Sequence, residues 1–221
     1  MRWFFRRFWL PIYRRWALRY IRREQRFRYG SLDLQVPPAV FHPGVFFSTP
    51  IFLDFLQKID FHGKKVLDVG TGSGALVLFA AQNGAQAFAL DINPAAVETA
   101  RKNAAANHLD LTVWQSDLFD TVPVIRFDLI LINPPYYPRL PETDAEHAFY
   151  AGAGLEYFEK LFRQLPQFVH ADSCIWMILS EDCDLARIRQ LAERGRFSFS
   201  QKLEQRKWGE RFFVFELTTD S

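Results

Sequence analysis

The sequence predicts an α/β domain with a doubly wound, seven-stranded mixed sheet, and three observations carry that expectation. From residue 65 onward, short apolar runs with strand character alternate with helical segments, the pattern of repeated βα units around a parallel sheet. The first of those strands runs into Gly70-Thr71-Gly72-Ser73-Gly74, a glycine turn that opens a helix. The chain closes on two runs with strand character, 197–203 and 211–217, separated by Lys207-Trp208-Gly209, which read as an antiparallel hairpin on the sheet edge.

Taken in order, the expected strands are 65–69, 87–91, 111–115, 127–132 and 174–180, followed by that hairpin. The expected helices are 75–82, 94–107, 155–168 and 184–194, with a shorter one at 50–59 ahead of the first strand. Upstream, Tyr13, Trp16, Ala17, Tyr20 and Ile21 recur at helical spacing, so 12–27 reads as a basic amphipathic helix entered at Pro11. Residues 28–45, with Gly30, Pro37, Pro38, Pro43 and Gly44, read as an irregular connector. The expected organisation is an Arg/aromatic-rich extension and connector over 1–40 and one α/β domain over 41–221.

Length and composition fit a single domain: 221 residues, 49% of them hydrophobic. The net charge of +2 conceals an asymmetry, because residues 1–30 carry ten Arg against one Glu while the remainder carries 17 basic and 24 acidic residues. Ten aromatics interleave with those arginines, a composition suited to phosphates and exposed bases of a nucleic acid, or to an anionic membrane surface, or to packing on the core with the arginines solvated. The short apolar stretches of this head, broken by Arg pairs and followed by no small-residue cleavage site, do not read as a signal peptide. No run of about 18 apolar residues predicts a spanning helix. Two unpaired cysteines, Cys174 inside an apolar run and Cys183, fit a reducing, cytoplasmic setting. Scattered histidines have no metal-ligand spacing, so no metal is expected.

The ligand is argued from the strand ends. Gly70 and Gly72 let the backbone turn tightly and a ligand approach, and Gly74 completes Asp-x-Gly-x-Gly-x-Gly from Asp68. The same residues fit a dinucleotide fingerprint through Gly70, Gly72 and Ala75. Asp68 favours S-adenosyl-L-methionine (SAM), because a carboxylate there suits a cationic amino group and sits badly beside a pyrophosphate. Asp91, followed by Ile92, ends the next strand 21 residues after Gly70, the placement for a carboxylate that accepts from ribose hydroxyls. Asp117 follows the third strand, where it can reach an adenine amino group, with Leu118 or Phe119 packed on the ring.

The most specific feature is Asn133-Pro134-Pro135-Tyr136 at the end of the fourth strand. Asn133 and Pro134 offer a side-chain and a backbone carbonyl, two acceptors that can hold both hydrogens of a planar –NH2 group, while Tyr136 can stack on it. Alignment is most of what methyl transfer to such a nitrogen needs.

Together, Asp68–Gly74, Asp91, Asp117 and Asn133–Tyr136 resemble the class I SAM-dependent methyltransferases of the "methyltransferase small" group, with a Rossmann-like sheet. Within it the chain is most similar to the release-factor glutamine methyltransferases (HemK-like) over roughly residues 40–217, including Ala151–Leu155 ahead of the next helix. The resemblance implies SAM as cofactor, with Asp68, Gly70, Gly72, Gly74, Asp91, Ile92, Asp117, Leu118 and Asn133 around it. It implies Asn133, Pro134 and Tyr136 at the transfer step, and either a ribosomal or transfer RNA base or a protein glutamine as partner. It also implies a larger N-terminal helical domain, which the short head here replaces. A nicotinamide-dependent oxidoreductase and an idle RNA- or membrane-binding scaffold are the competing readings.

Overall fold

The computed structural model describes residues 23–38, 40–45, 47–142, 144–148, 150–207 and 209–219. Residues 12–22 of the expected amphipathic helix, with the Arg-rich segment around them, lie outside the described residues. The described chain opens instead with a two-stranded antiparallel hairpin, β1 (Gln25–Tyr29) and β2 (Leu32–Val36), in which Tyr29 pairs with Leu32. This corrects the helix expected through residue 27 and the connector expected from 28. Leu32, Leu34 and Val36 alternate with Asp33 and Gln35, a period-two pattern that buries one face, and Gly30-Ser31 is a two-residue turn with Gly30 at φ +57°. Leu32 and Leu34 enter the same core as the helices beyond, so the domain's packing draws on residues before the expected boundary at 40/41.

Helix α1 (Ser48–Leu56) leads to β3 (Lys65–Val69), α2 (Ala75–Gln82), β4 (Gln86–Asp91), α3 (Pro94–Ala106), β5 (Thr112–Gln115) and β6 (Leu129–Ile132). Helix α4 (Glu156–Gln164) passes into a 3-10 turn at Leu165–Phe168, where Pro166 removes a backbone donor. Strand β7 (Cys174–Ser180), helix α5 (Leu185–Arg194) and the hairpin β8 (Phe197–Lys207) and β9 (Glu210–Thr219) complete the chain. The expected alternation therefore stands, with strand 127–132 beginning two residues later.

The seven strands run in the order β5-β4-β3-β6-β7-β9-β8, parallel from β5 to β7, with β9 antiparallel to both β7 and β8. Period-two alternation divides the core. Leu67, Val69, Ile130 and Ile132 face α4 and α5, whereas Val66, Leu129 and Leu131 face α1 and α2. Cys183 is buried, and Cys174 is half-buried at the start of β7. None of the described helices is long and apolar enough to cross a membrane.

Strand order reverses between β3 and β6, whose last residues, Val69 and Ile132, are paired. That switch point is where an open parallel sheet leaves a crevice beyond its carboxyl ends. It sets Gly70 and Asn133, 63 positions apart in sequence, side by side.

Candidate cofactor and transfer site

A cleft of about 380 Å³ opens at the switch point. Gly70, Gly72, Asp91 and Ile92 line it, as do Asp117 and Leu118, and Asn133, Pro134 and Tyr136 stand on the same wall. Asp68 and Gly74 are not on the wall.

The glycine turn divides its labour. Gly70 sits at φ +76°, and a Cβ there would meet nothing within 4 Å, so its place is set by backbone conformation beside open space. Gly74 caps α2 at φ +86°, where a Cβ would lie 3.1 Å from Leu78 Cδ1 and 3.4 Å from Ala100 Cβ. It serves close packing of α2 and α3 beneath the cleft. The turn's N–H groups are largely committed internally. Those of Gly70 and Thr71 donate to the Leu90 carbonyl at 2.9 and 3.0 Å, and that of Gly72 to Asp91 Oδ2 at 2.8 Å. Few remain for a pyrophosphate, and Asp91 faces the space it would need.

Asp91 is 8% exposed, with Oδ2 on Gly72 and Oδ1 accepting from the Asn93 N–H at 2.9 Å. Burial raises its pKa, opposed by those two N–H groups. Both oxygens are thereby fixed in orientation at the cleft. Asp68 lies one layer down, 1% exposed, with Oδ2 accepting from Thr71 Oγ1 at 2.8 Å. Burial pushes its carboxyl up to about 7. Its Oδ1 is buried with no partner among the described residues. An orphaned carboxylate oxygen beneath the turn, beside a cleft whose rim carries two more carboxylates, fits a ligand with a cationic amino group and hydroxyl donors better than a diphosphate. The residues present therefore fit SAM.

On the far side, Asp117 Oδ2 is 2.6 Å from Lys160 Nζ, which also holds Asp120 at 2.7 Å. Leu118 is buried at φ +52° on the wall. Phe119, the alternative ring-packing residue, turns into the core and stacks on Phe168 at 4.2 Å between ring centroids.

At the transfer end, Asn133 Nδ2 donates to Thr49 Oγ1 at 3.2 Å, leaving Oδ1 as the acceptor. Tyr136 hydrogen-bonds with Ser180, and burial holds its hydroxyl well above the ordinary tyrosine range, so it stays protonated. The Tyr136 and Tyr137 rings lie 4.9 Å apart. Tyr137 pairs with Tyr150 across the loop, Arg139 lies 5.1 Å over the Tyr150 ring, and the Glu142 N–H donates to Glu146. The loop after Tyr136 thus forms part of the cleft wall, with Leu140, Pro141 and His147 lining it. Phe47 packs on the core. Phe41, Pro43, Ser48 and Thr49 also line the cleft. Sequence reasoning missed Thr49, Tyr157 and Lys160. None stands in a motif, and Thr49 meets Asn133 across 84 positions.

Residues 32–158 match the family model described as the methyltransferase small domain. A protein named as an N5-glutamine methyltransferase in Methanocaldococcus jannaschii is 30% identical over 68% of this chain and 77% of its own length. The release factor glutamine methyltransferase of Geobacter sulfurreducens is 28% identical over 71% of this chain, which spans 58% of that enzyme. The fold matches a 16S rRNA N2 G1207 methyltransferase of T. thermophilus solved with AdoMet and guanosine, at a TM-score of 0.66 and 20% identity over 90% of this chain and 50% of that one. Seen with the glycine turn at the switch point and the Asn-Pro-Pro-Tyr segment beside it, these matches mean that the chain belongs to the methyltransferase small domain family of SAM-dependent methyltransferases.

Proposed function

We propose that the protein transfers the SAM methyl group to the nitrogen of a planar amide, and that the amide is a protein glutamine side chain. The observation that carries the transfer reading is the Thr49–Asn133 bond, which occupies Asn133 Nδ2 and leaves Oδ1 as an acceptor on a cleft that Pro134 also lines. The glutamine reading is supported by the Methanocaldococcus relative, whose match covers similar shares of both chains, so a chain of this size resembles a protein carrying that name.

When bound, the cofactor supplies a methyl group already activated on a sulfonium. We assign Asp91 to the ribose hydroxyls, Asp117 to the adenine amine with Leu118 and Ile92 against the ring, and Asp68 to the amino end from beneath the turn. Gly70 and Gly72 leave room for the ligand, and Gly74 keeps α2 in place. Asn133 Oδ1 and the Pro134 carbonyl each accept one N–H of the substrate amide, which fixes the plane of its –NH2 group. Tyr136 packs against that plane with its hydroxyl held by Ser180. As the N–C bond forms, the methyl–sulfur bond of the sulfonium would break to leave a neutral thioether, and one N–H proton leaves the nitrogen. The protonated Tyr136 hydroxyl cannot take it, and water at the mouth can. The tyrosine wall limits solvent at the reacting nitrogen.

Asn133→Ala tests the assignment. Transfer falls by about two orders of magnitude or more while SAM affinity changes little, since alignment of the acceptor is what is lost. Loss of SAM binding in step with activity would contradict the role. A second reading, an RNA base amine as acceptor, rests on the ten arginines and ten aromatics of residues 1–30.

A further inference from the structure

The Tyr157 side chain lines the cleft, and its hydroxyl is buried with no hydrogen-bond partner among the described residues. Its ring is well used, meeting Phe158 edge-to-face at 5.3 Å. A phenylalanine would keep that packing without the desolvation cost of burying an unpaired hydroxyl. The position is also firmly set. Tyr157 N–H donates to the Ala151 carbonyl at 3.1 Å, and Ala151 N–H in turn donates to the Tyr137 carbonyl at 3.0 Å. Glu156 Oε2 accepts from the Gly154 N–H at 3.0 Å and closes the segment on itself. The strand-end segment that carries Asn133 and Tyr136 is therefore tied, backbone to backbone, to the residue that bears this hydroxyl.

We propose that the Tyr157 hydroxyl is a cofactor-contacting group, bonded to the ribose hydroxyls of the adenosyl moiety beside Asp91. The proposal rests on the SAM reading of the cleft given above. Burial above all, and then the charges of Asp91, Asp68 and Asp117, hold the hydroxyl protonated at any working pH. A neutral hydroxyl in that setting both donates and accepts. It can accept from one ribose hydroxyl while Asp91 accepts from the other, and neither partner has to change ionisation.

Calorimetric titration of the full chain and of Tyr157→Phe tests this with two ligands. S-adenosylhomocysteine carries adenine, ribose and the amino-acid end, whereas 5′-methylthioadenosine lacks the amino-acid end. The expected result is an affinity loss of about five- to twenty-fold for both, roughly 1–2 kcal/mol, with the ligand-free variant melting no lower than the unmodified protein. Unchanged affinity for both ligands overturns the proposal. Loss for S-adenosylhomocysteine alone overturns the ribose assignment and moves the contact to the amino-acid end. Failure of the unmodified protein to bind either ligand would instead refute the SAM reading of the cleft.

Discussion

Replacing Asp68 by Asn removes a buried charge while keeping an oxygen for Thr71, and the consequence for the ligand-free protein can be worked out. The carboxyl titrates near 7 in the folded chain and near 3.8 in the unfolded one, because burial disfavours the ionised form. A raised carboxyl contributes its full stability below the unfolded value and loses it as pH climbs through the folded one. The shift of about three units corresponds to about 4 kcal/mol across the whole window. Between about pH 5 and about pH 8, some 2–3 kcal/mol of that is lost by the unmodified protein and none by Asp68→Asn. Urea unfolding of both ligand-free proteins at the two pH values reads the difference directly. The stability advantage of the variant over the unmodified protein should widen by that amount as pH rises. A gap that stays flat or narrows would refute the claim that burial outweighs the Thr71 bond and raises the Asp68 carboxyl. SAM should reverse the order, since the variant lacks the charge that its amino end meets.

Thr49→Val removes the hydroxyl that orients Asn133, so turnover should fall about ten-fold with SAM affinity unchanged, read as a kcat effect without a matching change in cofactor Kd. Gly74→Ala forces an L side chain to φ +86° against Leu78, and the urea midpoint should drop by the equivalent of about 1–3 kcal/mol. Asn103 holds the Gln35 backbone at both N and O and donates to the Ser73 carbonyl at 2.9 Å, tying the N-terminal hairpin to the glycine turn. Asn103→Ala should therefore lower both thermal stability and SAM affinity, the latter about five-fold, by differential scanning and calorimetry.

What was legible in the sequence is what repeats or punctuates. The βα alternation, the glycine turn and the Asn-Pro-Pro-Tyr end each advertise themselves within a few residues, and the topology follows from right-handed crossovers between parallel strands. The β1–β2 hairpin was legible in principle: Leu32, Leu34 and Val36 alternate after a Gly-Ser turn, but the helical spacing upstream and Pro37-Pro38 downstream masked it. Phe119 and Leu118 are adjacent and both apolar, and only the left-handed backbone at Leu118 decides which faces the cleft. Thr49, Tyr157 and Lys160 were not legible, because each gains its meaning from a partner far away in sequence: Asn133, the Asp91 field and Asp117.

The central claim is transfer of the SAM methyl to a glutamine amide nitrogen, and its most direct measurement uses methyl-labelled SAM. The protein, or Asn133→Ala, is incubated with extract from cells lacking it, and the macromolecular fraction is divided between protease and ribonuclease. The protease-sensitive label is then hydrolysed in strong acid, which cleaves an N-methyl amide to methylammonium, and the hydrolysate is made alkaline so that the label distils as methylamine. The account predicts label in protein, released as methylamine and absent with Asn133→Ala. Label in RNA, or protein label that stays non-volatile after acid hydrolysis and alkalinisation, would contradict it.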